Sequence, residues 1–132
     1  MKGIGRWGED YIARVLYDEY KNEDGIKIID LNSEGKIGVG ADFEVWNNGN
    51  LIRLVEVKTT TGPKGSPVIV SGTQWEIARN FYKLSNGDLY WIYCVYNAGG
   101  TNVQCVPVQN PINQWKEGTV IADPINFVIK VQ

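Results

Sequence analysis

"LYWIYCVY", residues 89 to 96, is hydrophobic at every position. Side chains of a strand alternate between two faces, so a strand of this kind needs cover on both. The rest of the chain has to supply a sheet on either side of it and helices above and below.

The patterns of the other segments meet that demand. From Ile4 to about Tyr20, Trp7, Tyr11, Val15, Leu16 and Tyr20 recur at steps of three and four, the period of a helix that ends near "KNEDG". "IKIIDL" (26 to 31) is short, β-branched and bounded by turn residues, which marks a strand, and "NSEGKIGVG" is a loop. "ADFEVW" (41 to 46) alternates, with Ala41, Phe43 and Val45 on one face and Asp42, Glu44 and Trp46 on the other. Asn48-Gly49 is a hairpin signal, and it brings Asp42 beside Glu56 of the next strand, "LIRLVEVKTTTG". "VIV" (68 to 70) reads as a short strand. Ser71 and Gln74 form a capping box that opens a second helix with Trp75, Ala78 and Tyr82 on one face, ended at "SNG". "NVQCVPV" and "NFVIKV" are further strands, with "NPINQW" a turn or short helix between them. The expected fold is α/β, a sheet layered with helices.

A length of 132 residues suits one domain, 1–132, with a core over 3–97 and a strand-rich extension over 98–132. "MKGIGRWGEDYIARV" has no apolar signal core, and no run nears the roughly 18 apolar residues of a membrane span, so a cytoplasmic protein without membrane contact is expected. In that compartment Cys94 and Cys105 are expected to stay reduced. The net charge of -2 and pI near 5.1 weigh against a strong stand-alone nucleic-acid binder. There is no histidine, which removes imidazole bases, histidine-bound zinc and Ser-His-Asp chemistry. Any catalysis must run on carboxylates, lysine or a metal held by oxygen.

Glu56 and Lys58, two residues apart on one strand, point the same way as Leu54 and Ile52, while Val55 and Val57 take the other face. The plainest account is a lateral ion pair at a strand end that reaches solvent. Asp42 argues for more, because two neighbouring carboxylates raise one pKa or recruit a divalent cation. Mg²⁺, with Mn²⁺ as a substitute, takes few carboxylates and orders phosphates. Lys58 would stabilise charge on phosphate oxygens.

In order along the chain, "GEDYIARVLYDEY", "ADFEVW", "LVEVKTTTG", "VSGTQWEIARNFYKL" and "LYWIYCVY" resemble the PD-(D/E)XK nuclease superfamily. More narrowly, over about residues 3 to 97, they resemble the C-terminal domain family of NO VEIN, to which many restriction and defence proteins are similar. The resemblance implies a restriction-endonuclease-like three-layer domain with a central mixed β-sheet flanked by helices. It implies Asp42 and Glu56 as catalytic metal ligands, Lys58 as the catalytic lysine, and Glu9 and the Val57 carbonyl near the metal. Where the narrower family often has Glu at the start of the second helix, this chain has Gln74. Gln74, Arg79 and Lys64 are candidate contacts to phosphate, with a capping role for Gln74 and plain surface roles for the other two as the alternatives. Gly5 and Gly8 beside Glu9 would let the first helix pack closely. Trp46, Trp75 and Trp91 would stack on bases or, more simply, fill the core.

Three readings stand side by side. The first is a Mg²⁺-dependent endonuclease hydrolysing DNA, rather than RNA, in restriction, defence or repair, alone, as a homodimer or within a larger complex. The second is a module that keeps the nuclease shape without its chemistry and binds DNA or protein. The third is a local salt-bridge cluster of Asp42, Glu56 and Lys58 with no ligand.

Overall fold

A computed structural model describes residues 3–33, 35, 40–123 and 129–132. Helix α1 (Gly3–Tyr20) precedes strands β1 (Ile26–Asp30), β2 (Phe43–Asn47) and β3 (Asn50–Thr59). Helix α2 (Gly72–Lys83) and a 3₁₀ turn (Gly87–Leu89) lead to β4 (Tyr90–Tyr96), β5 (Gln104–Gln109) and helix α3 (Pro111–Glu117). The strands form one sheet in chain order, antiparallel at every junction except β3 with β4, which run parallel. That parallel pair requires a crossover, and α2 supplies it.

The alternation of β4 sorts two cores. Tyr93 and Val95 join Phe43, Val45, Val55 and Val57 beneath Ile12 and Leu16 of α1. Ile92, Cys94 and Tyr96 turn to the opposite face, with Ala78 of α2 and Ile112 of α3. The fold is therefore α/β with a mixed sheet between helical layers, and the all-hydrophobic strand lies inside it as its sequence requires. Asn48 and Gly49 take the left-handed conformations of a tight hairpin at φ 49° and 83°.

Several local expectations are corrected. Residues 68 to 70 form no strand: β2 and β4 occupy both sides of β3, and the segment makes no ladder with the edge strands β1 and β5. The alternation is real all the same: Val68 and Val70 pack on the α2-side core while Ile69 is exposed. Ile52 departs from the Leu54–Glu56–Lys58 face. The register steps from Val45 opposite Arg53 to Trp46 opposite Leu51, which leaves Ile52 as an extra residue in a bulge, packed on the α1-side core. The first half of the proposed strand "NFVIKV", 126 to 128, lies outside the described residues, and 129 to 132 carry no regular structure. "NVQCVPV" is β5 in substance, and "NPINQW" opens α3.

Candidate active site

Asp42 and Glu56, at 9% and 4% exposure, are the two buried charged residues among those described. Both lie where β2 and β3 meet, since the register that sets Phe43 opposite Val55 brings Asp42 next to Glu56. The Asp42 backbone is fixed on both sides, its N–H donating to the Val55 carbonyl at 2.8 Å and its carbonyl accepting from Leu31 at 2.9 Å. Its side chain closes back on β3, where Oδ2 accepts the Val57 N–H at 2.8 Å. A residue in a strand projects its N–H and C=O to the same edge. The Val57 carbonyl therefore opens on the Asp42 side.

Asn32 completes this arrangement. Its amide nitrogen donates to Asp42 Oδ1 at 2.9 Å and to Glu9 Oε1 at 2.7 Å, spending one hydrogen on each. Asp30 at the end of β1 holds the turn that aims it, accepting the N–H groups of Asn32 and Ser33 at 3.0 and 3.1 Å. Glu9 thus stands one amide away from Asp42. Burial first, then the Asp42 charge, push its carboxyl above the ordinary range, against the Asn32 hydrogen bond and Arg6.

On the other side, Gln74 Nε2 donates to Glu56 Oε2 at 2.9 Å. The same amide uses its oxygen to accept the Ser71 N–H at 3.0 Å, while Ser71 Oγ accepts the Gln74 N–H at 3.1 Å. The capping role and the site role of Gln74 are one arrangement. Glu56 is pushed up to about 8 by burial, then by the Asp42 charge, with Lys58 pulling it back. Lys58 lies half-buried on the Glu56 face, yet among the described residues it makes no ion pair within 4.0 Å to either acid. The local salt-bridge cluster is therefore not the arrangement found.

Two glycines admit the surrounding elements. A side chain at Gly8 would overlap the Thr59 hydroxyl, so Gly8 is what lets α1 lie close on the end of β3 and carry Glu9 there. Gly5 has open space around it and plays no such part. Gly40, at φ 86°, sits under Ile77 of α2, and its carbonyl accepts the buried Tyr90 hydroxyl at 3.1 Å. The chain entering Asp42 is pinned from β4 in this way.

A family model described as "Protein NO VEIN, C-terminal" matches residues 8–108. The chain belongs to that family. Protein NO VEIN of Arabidopsis thaliana is 27% identical over 114 residues, 86% of this chain and 4% of that protein. The chain thus spans a small fraction of its curated relative's length. No solved structure is significantly similar to it. The NO VEIN match runs past residue 97 to take in β5, so the family unit includes a strand that the sequence motifs alone leave out. Membership fixes kinship, and a reaction has to be argued from the site.

Within this NO VEIN-type domain the remaining candidates separate from the acid pair. Arg79 pairs with Glu76 at 2.9 Å and faces the α2–α3 side, and Lys64 is exposed in the loop after β3. Trp75 and Trp91 pack against the two cores, and Trp46 donates to Glu44 at 3.2 Å. Asn32 and Tyr90 escape sequence reasoning. An Asn in a turn and a Tyr in an apolar strand carry no local mark of the acids that they serve. Among the described residues no group of three or more His, Cys, Asp or Glu is arranged to hold a metal. The donor set at hand is two carboxylates with the Val57 edge, all hard oxygens, which fits an ion that keeps several waters, as Mg²⁺ does.

Proposed function

We propose that the domain is a Mg²⁺-dependent nuclease that hydrolyses phosphodiester bonds, with DNA as the preferred substrate. The observation that carries this is the burial of Asp42 and Glu56 side by side, with Glu56 raised to about 8 and, among the described residues, no lysine paired to either acid. Such a pair is costly to ionise, and a divalent cation held by Asp42 and Glu56 would offset that cost. When bound, Mg²⁺ supplies positive charge that polarises phosphate oxygens and eases deprotonation of water. Asp42 is held in one orientation by Asn32 and the Val57 N–H, one contact to each of its oxygens. Glu56 is oriented by Gln74 and, above about pH 8, offers a carboxylate beside it. Lys58, which forms no ion pair among the described residues, donates to a phosphate oxygen and stabilises charge developing there. Glu9 adds negative charge behind Asn32.

The inactive-module reading has one observation in its favour: Gln74, not an acid, occupies Glu56, in a chain of net charge -2. Calorimetric titration of Mg²⁺ into the protein and its Asp42→Asn variant, with a parallel plasmid-nicking assay, separates the two. The nuclease reading expects binding and metal-dependent nicking in the wild type and loss of both in the variant. Absence of Mg²⁺ and Mn²⁺ binding at pH 8.5 would end it.

A further inference from the structure

The packing of α3 on α2 leaves a cleft of about 410 Å³ lined by Trp75, Arg79, Tyr82, Lys83, Trp115 and Lys116 over Ile112. Ile112 is buried and forms its floor. Trp75 and Trp115 meet edge to face, their centroids 5.8 Å apart and their planes at 75°, which leaves Trp115 43% exposed. Lys116 Nζ stands 5.3 Å from the centre of the Tyr82 ring. Arg79 uses one nitrogen on Glu76 and keeps further N–H donors. The chain as a whole is acidic, yet among the described residues three cations and no acid line this cleft. Tyr82 and Lys83 also border an adjoining depression of about 430 Å³ beside Ser85, Gly87, Asp88 and Asn110, where the one acid, Asp88, accepts from the Asn110 amide at 3.0 Å.

Flat aromatic faces interleaved with cations suit a base and its neighbouring phosphate. In a duplex the bases are stacked inside and their faces are unavailable. An acidic peptide would satisfy the cations but leave the rings without a partner. We infer that the α2–α3 cleft binds single-stranded nucleic acid, with bases on Trp115 and Tyr82 and phosphates on Arg79, Lys83 and Lys116. The cleft starts at Trp75, next in sequence to Gln74, whose amide touches Glu56. A strand lying in it is therefore led along α2 toward the acid pair. This use of the cleft rests on the nuclease reading, whereas the binding itself does not.

Anisotropy of a fluorescent oligothymidylate of about 12 nucleotides, titrated with the full chain in EDTA, tests binding without cleavage. Trp115→Ala should weaken binding about tenfold, in the range for one stacked base. Exchanging both exposed lysines, Lys83→Glu with Lys116→Glu, should weaken it further and flatten the salt dependence. If Trp115→Ala fails to fold by circular dichroism, the lysine pair carries the test. Wild-type affinity in the lysine double variant, no oligonucleotide binding at all, or tighter binding of a poly-Glu-Tyr peptide would each overturn the proposal. Oligonucleotide binding without nicking leaves the cleft standing and removes the nuclease. Nicking with binding unaffected by the cleft variants does the reverse.

Discussion

At the scale of single residues, burial sets the behaviour of Glu56. Its carboxyl sits at about 8 in the fold and returns to the ordinary value of 4.5 on unfolding. Between those values the folded chain holds a proton that the unfolded chain has lost, so stability falls as pH rises through the window. In chelator, the melting temperature of wild type should drop from pH 5 to pH 9 relative to Glu56→Gln, and the variant should be the more stable of the two at pH 9. Parallel curves would show that Glu56 does not titrate there. Mg²⁺ favours the ionised form, so it should raise the wild-type melting temperature more at pH 8.5 than at pH 5.5. Asn32 is the second residue whose effect should exceed its size. Asn32→Ala removes the donor shared by Glu9 and Asp42 and should cost about 1–3 kcal/mol in urea denaturation. Asn32→Asp adds a third negative charge and should cost more; a variant as stable as wild type would refute the bridging role.

At the scale of elements, the start of α2 does two jobs with one amide. The Ser71–Gln74 capping box satisfies backbone donors at the helix N-terminus and presents Gln74 Nε2 to Glu56. Ser71→Ala should lose about 1 kcal/mol of stability from the cap. Its secondary effect is looser orientation of Glu56, readable as a change in Mg²⁺ affinity by calorimetry. Gln74→Ala should change both readouts too, and a Ser71→Ala variant with unaltered metal affinity would separate the cap from the site. The capping box was legible because its two residues are three apart in sequence. Its contact with Glu56 was not, since the two residues stand 18 positions apart with a loop between them.

At the scale of the whole molecule, the sheet separates two thiols that its register brings close. Val95 stands opposite Cys105 and Cys94 opposite Val106, and the two sulfur atoms belong to opposite faces of the sheet. Both cysteines are free. Burial raises both thiols, Cys105 to about 11. Reductant should leave the melting temperature unchanged. At pH 8 a thiol reagent should label the protein slowly until urea exposes both groups; rapid native labelling of either would contradict this packing. Among the described residues no helix is long and apolar enough to cross a membrane.

The sequence by itself determined the elements whose cause is local. Periodicity set α1 and α2, Asn48-Gly49 set the hairpin, and unbroken hydrophobicity placed β4 between two layers. The hairpin alone would set Asp42 opposite Val55; the bulge at Ile52 shifts the register by one residue and brings Asp42 opposite Glu56. Only the tertiary structure decided what the acids feel. Asn32 reaches Asp42 and Glu9 because α1, the turn after β1 and the start of β2 converge, and Tyr90 reaches Gly40 across 50 residues. The same limit explains "VIV", which has the alternation of a strand but spends it on packing Val68 and Val70 against the α2-side core rather than on a ladder. Local patterns record which face a side chain prefers. The neighbours on that face come from chain segments far apart in sequence, and the packing that joins them fixes both the charge of Glu56 and the partners of Asp42.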